Sequence, residues 1–275
     1  MKTTKLILGL FAIATLALSS CKKETKTSDI DPNRKGKMGL HFDNRAGTAD
    51  LILNSQTYQN ALGQDLNITK FNYYISNIKL INKDGSTFTY PKNDSYFLVQ
   101  ESDDATQDIE LENVPEGDYT GVVFTIGVDS LKSVSPLAER TGVLDPSAGG
   151  SDMYWSWNSG YIFVKMEGTS PSAPLDTPSG QRPFMYHVGL FGGYSTPTLN
   201  NLKEVTISFG TSVASVRQAK TTAPEAHLFV DVLKVLNGST NIDFTLNPVV
   251  MGNPYSANVA NNYKEMITLD HVHND

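Results

Sequence analysis

Five histidines are spread unevenly along the chain, and two of them, His271 and His273, stand at i and i+2 in the segment ITLDHVHND. An extended backbone sends both imidazoles to one face with Cα atoms about 6.5 Å apart, close enough for one metal ion to collect both rings. Neutral imidazole suits copper and zinc; the plain alternative is a pair of solvated histidines. His187 lies in FMYHVGLF, where Phe184, Tyr186, Val188 and Leu190 make an apolar face and His187 falls on the other, beside Met185 and Gly189. Gly189 leaves room for a close approach by another group. His187, His271 and His273 are therefore the metal-ligand candidates, expected to converge on one ion. His41 opposes the apolar face of its segment and His227 begins another; neither has a partner in sequence, and both read as structural or exposed.

A second chemistry-bearing stretch, GVLDPSAGGSDMYWSWNSGYIFVKMEG, holds the only two tryptophans, Trp155 and Trp157, with Met153, Tyr154, Tyr161 and Phe163 around them. Such density either anchors a core or serves redox and ligand chemistry, since a tryptophan beside a metal is readily oxidised. Met153 and Met185 would add soft sulfur for Cu(I). Other templates are missing: no Gly-x-Ser-x-Gly elbow, no P-loop, no dinucleotide fingerprint, no His-Glu-x-x-His helix and no cysteine nucleophile. Nothing here points to an enzyme.

The elements that must position these residues are strands. Lys37 to Asp43 alternates Met38, Leu40 and Phe42 against Gly39, His41 and Asp43, and Ile68 to Ile81 is β-branched and aromatic up to the turn Asn82-Lys83-Asp84-Gly85. With the segments at Thr87, Tyr96, Ile109, Tyr119, Tyr154, Phe184, Val205, His227 and Ile242 this predicts about ten strands and an all-β fold, an antiparallel β-sandwich. One or two short helices are expected, Leu131 to Glu139, broken by Pro136, and Ala257 to Ile267, with Val259, Tyr263, Met266 and Ile267 on one face. The Pro/Ser/Gly-rich stretch Thr169 to Pro183 reads as a long loop inside one domain.

The N-terminus carries Lys2 and Lys5, the apolar run LILGLFAIATLAL and the only cysteine, Cys21, after Ser19 and Ser20. The run is short for a bilayer span, which needs about 20 residues. Leu18-Ser19-Ser20-Cys21 resembles the lipobox of bacterial lipoproteins, which implies cleavage before Cys21 and lipidation of its sulfur. The expected organisation is a signal peptide at 1–20, a polar tether at 21–37 and one domain at 38–275. Loss of residues 1–20 removes Lys2 and Lys5 from 22 basic residues, leaving 20 against 29 acidic ones and a net charge of −9. That balance argues against nucleic acid as a partner. Without Cys21 no thiol is left for disulfides or thiolate metal sites.

Five stretches, ordered along nearly the whole mature chain, carry a resemblance: KFNYYISNIKL from Lys70, GDYTGVVFTIGVD from Gly117, the LDP and W-x-W-N-S-G-Y-I-F within Thr141 to Gly168, YHVGLFGG from Tyr186 and NYKEMITLDHVHN from Asn262. The chain resembles the MbnP-like family, and within it the lipoprotein members. The resemblance implies a secreted β-sandwich that binds one copper ion, mainly through histidines. It also implies partnership with a di-haem peroxidase-like protein, which in the founding members converts a tryptophan near the metal to kynurenine. His187 takes the family's His-x-Gly position, Trp155 and Trp157 its W-x-W, and His271 and His273 the ending of the lipoprotein subgroup. The resulting expectation is an outer-membrane lipoprotein, facing periplasm or cell surface, that handles copper without catalysis of its own, with an importer as a further partner. Its rivals are a glycan- or nutrient-binding lipoprotein using the aromatic residues as a stacking platform, and a calcium-dependent one using loop acids such as Asp129 and Asp145.

Overall fold

The structure, a computed structural model, describes residues 30–155 and 160–274. Nine strands carry the architecture: β1 (Lys35–Ala46), β2 (Asp65–Asn82), β3 (Asp108–Pro115), β4 (Gly117–Ile126), β5 (Gly160–Thr169), β6 (Pro183–Gly189), β7 (Lys203–Ser208), β8 (Glu225–Asp231) and β9 (Ile267–His273). The larger sheet runs β7-β4-β2-β5-β6 and ends on the short Val249–Met251 strand; the smaller runs β9-β8-β1, with β3 on the far side of β1. Among the described residues pairing is antiparallel except for two parallel contacts, β1 with β8 and β6 with Val249–Met251.

The two sheets face each other across the main core, as a β-sandwich requires. Met38, Leu40 and Phe42 of β1 are fully buried, as their alternation predicts, and meet Phe71, Tyr73, Phe124 and Tyr186 of the larger sheet in one cluster. Phe42 packs edge-on against Tyr73 and Phe124 at centroid distances of 6.2 and 5.9 Å, a favoured aromatic geometry. A second apolar cluster covers the other side of the larger sheet: Tyr74, Met153, Trp155, Tyr161, Phe163 and Phe191 belong to it. That second layer explains the unbroken burial from Phe71 to Ser76 in β2, where both faces are covered.

Thr169 pairs with Pro183 across the Pro/Ser/Gly-rich stretch, which is thus the loop of a β5–β6 hairpin. The predicted Leu131–Glu139 helix shrinks to α1 (Ser130–Ser133) and a separate 3-10 turn at Leu137–Glu139, with Pro136 between them. The later helix, α2, spans Ser256–Tyr263 and stops before Met266, because Ile267 already belongs to β9.

Candidate metal centre

Burying Met38, Leu40 and Phe42 leaves Gly39 and His41 on the outer face of β1. β8 lies parallel to it, with Gly39 opposite Glu225 and His41 opposite His227. β9 closes the edge antiparallel, His271 opposite His227 and His273 opposite Glu225. Between these and the next pair, Leu228 with Leu269, the register shifts, so Asp270 is an extra residue on β9. Strict alternation from Leu269, which packs on the core, would turn His271 inward; the bulge resets the phase, so that Val272 packs on the core and both histidines stand outward.

The result is a ladder of four imidazoles over three adjacent strands. Ring centroids lie 4.9 Å apart for His41 and His227, 4.4 Å for His227 and His271, 5.0 Å for His227 and His273 and 5.7 Å for His271 and His273. His227, His271 and His273 each offer a ring nitrogen, all within 4.8 Å of one another, and the Nε2 atoms of His227 and His273 are 3.0 Å apart. Carboxylates frame the rings. Glu225 Oε1 is 2.7 Å from His227 Nε2, Asp108 Oδ1 2.5 Å from His41 Nδ1, and Asp270 Oδ2 2.8 Å from His271 Nδ1. Burial pushes the His227 pKa below the usual histidine range; Glu225 pulls against it, while His271, His41 and His273 add to the depression. A neutral imidazole is the metal-binding form. This donor set fits copper or zinc.

The expected convergence of His187 on His271 and His273 does not occur. His187 lies on β6 of the larger sheet, between the buried Tyr186 and Val188, and so points away from the main core on the opposite outer side of the sandwich from β9. There its Nε2 is 2.7 Å from Glu167 Oε1, and burial lowers its pKa against the opposing hydrogen bond to Glu167. Lys165, its neighbour across the hairpin, is buried and donates to Asp152 Oδ1 at 2.6 Å, while Lys70 on β2 donates to Asp152 Oδ2 at 2.9 Å. The third histidine of the group is instead His227, and His41 stands next to it. Neither shows a partner in sequence, because their partners are cross-strand neighbours that no local pattern reveals.

Met153 is fully buried and Trp155 nearly so, both in the second apolar cluster. The close approach expected at Gly189 is made by this tryptophan: a Cβ at Gly189 would stand 2.9 Å from its ring and 2.3 Å from the Tyr161 carbonyl oxygen. Met185 pairs with Val249 at the edge of the larger sheet. Trp157 and Cys21 lie outside the described residues. The loop acids are occupied locally. Asp129 caps α1 and accepts from Tyr96 and Lys92, and Asp145 accepts from Ser147.

Comparison with known proteins decides the family. The sequence profile described as MbnP matches residues 35–252. The chain belongs to the MbnP family. MbnP from Methylosinus trichosporium has the same fold, with a TM-score of 0.51 and 16% identity over 80% of this chain and 82% of that one. No match is found among curated proteins. The family is associated with copper and methanobactin. The matched region of this MbnP family chain ends before His271 and His273, so two of the three ring nitrogens come from outside it.

Proposed function

We propose that this protein is a copper-binding lipoprotein of the cell envelope, anchored in the outer membrane through Cys21, which holds or delivers copper without catalysing a reaction. One observation carries the metal assignment: His227, His271 and His273 present ring nitrogens within 4.8 Å of one another on the outer face of the smaller sheet. Membership of a copper-associated family supports copper over zinc as the ion. So does the affinity order of divalent ions, which places Cu(II) above Zn(II) at a given nitrogen and oxygen site. A di-haem peroxidase-like protein, acting on the tryptophan region, and an importer are the proposed partners. The glycan reading is weaker, because a stacking platform needs exposed rings and Trp155 is buried.

Copper titration of the full chain in detergent tests the site. His227→Ala and the double variant His271→Ala/His273→Ala should each weaken binding at least about tenfold, since even residues supporting a metal ligand are worth 10–100-fold. His187→Ala should bind like the parent. If the ladder variants keep full affinity, the metal site lies elsewhere; if only His187→Ala loses it, the larger sheet carries the ion.

A further inference from the structure

Glu225 stands on β8 two residues before His227, on the same outward face, with His273 opposite it on β9. Its Oε1 lies 2.7 Å from His227 Nε2 and 3.5 Å from His273 Nε2, and those two nitrogens are 3.0 Å apart. Donors each about 2.0 Å from a common ion are separated by about 3 Å when adjacent in its coordination sphere. The three atoms therefore already have the spacing of neighbouring ligands. The opposite side of Glu225 is equally shaped for it. Gly39 on β1 faces it, and a Cβ there would lie 2.6 Å from Oε2 and 2.8 Å from Cγ. The missing side chain leaves the room in which this carboxylate lies across the neighbouring strand.

We infer that Glu225 is the fourth donor of the centre, completing a set of three imidazoles and one carboxylate that takes copper as Cu(II) in preference to Cu(I). The inference rests on the reading of the histidine group as a metal centre. An anionic oxygen donor suits a divalent ion, whereas Cu(I) is selected by thiolate and thioether sulfur. The candidate sulfurs fall elsewhere: Met153 is sealed in the second apolar cluster and Met185 lies on the larger sheet. His41, the remaining imidazole of the ladder, stands on β1 with β8 between it and the two histidines of β9, and its Nδ1 meets Asp108.

The test compares Cu(II) and Cu(I) affinity, the latter under anaerobic reducing conditions, for the parent chain, Glu225→Gln, Gly39→Ala and His227→Ala. Glu225→Gln should weaken Cu(II) binding about tenfold or more while leaving Cu(I) binding unchanged, and should shift the electron paramagnetic resonance spectrum of the Cu(II) complex. Gly39→Ala, which crowds the carboxylate without removing it, should weaken Cu(II) in the same direction and serves if Glu225→Gln fails to fold. Unchanged Cu(II) affinity and spectrum in a folded Glu225→Gln chain, with His227→Ala impaired, would overturn the role of Glu225 and leave the histidine centre standing. Equal loss of both oxidation states would overturn the selectivity. If His227→Ala binds like the parent, the histidine centre itself is refuted, and the fourth donor with it.

Discussion

Glu101 follows the Tyr96–Gln100 strand and accepts a hydrogen bond from Asn44 Nδ2 at 3.0 Å, while Asn44 Oδ1 accepts from the buried Tyr73 hydroxyl at 3.0 Å. Burial raises the Glu101 pKa to about 7; the Asn44 bond opposes this, and Asp104, Asp43 and Asp50 reinforce it. An acid whose folded pKa is raised contributes stability below its unfolded pKa, near 4.3, and loses it as pH climbs through the folded value. Glu101→Gln should therefore raise the melting temperature at pH 8 and change it little at pH 4, as two thermal melts would show. At this scale the sequence was partly legible. The alternation around His187 correctly placed it opposite Phe184, Tyr186 and Val188, all buried. Leu190 departs from that face, because the strand ends at Gly189 and Leu190, at φ 77°, turns into the second cluster.

Two elements depend on single residues. Asp129 accepts from the backbone amides of Leu131 and Lys132 at the start of α1, from the Tyr96 hydroxyl and from Lys92. Desolvation works against its ionised form, but those donors hold its pKa below the usual range. Asp129→Ala should destabilise the fold by about 1–2 kcal/mol, the scale of a lost helix cap, measured by urea denaturation at pH 7. At the β2–β5 contact the register shifts between Glu167 and Gly168, and a Cβ on Gly168 would stand 2.1 Å from the Asn67 carbonyl oxygen. Gly168→Ala should cost about 1–3 kcal/mol through overpacking, without touching the histidine ladder. Strand phases such as that of β1 were readable because one face of each meets the core. The bulge at Asp270 was not, since nothing in LDHVH marks where a pairing partner will skip a residue.

At the scale of the molecule, Cys21→Ser should move the protein from the membrane to the soluble fraction, with an unchanged circular dichroism spectrum, because the first strand of the described β-domain begins only at Lys35. Saturating Cu(II) should raise the melting temperature of the parent and not of His227→Ala, since a ligand that binds only the folded state stabilises it by mass action. The arrangement of strands was the least legible level. Alternation assigns faces to β1 and β8, but no local signal says that strands nearly two hundred positions apart run side by side and parallel. That pairing sets an order of events. The proposed copper ligands do not exist as a group until residue 273 has been made and β8 and β9 have docked beside β1. A nascent or half-exported chain thus offers only scattered imidazoles. Under the proposed export, loading waits for the compartment where the whole sandwich closes, so the topology itself would keep copper from travelling with the unfolded chain.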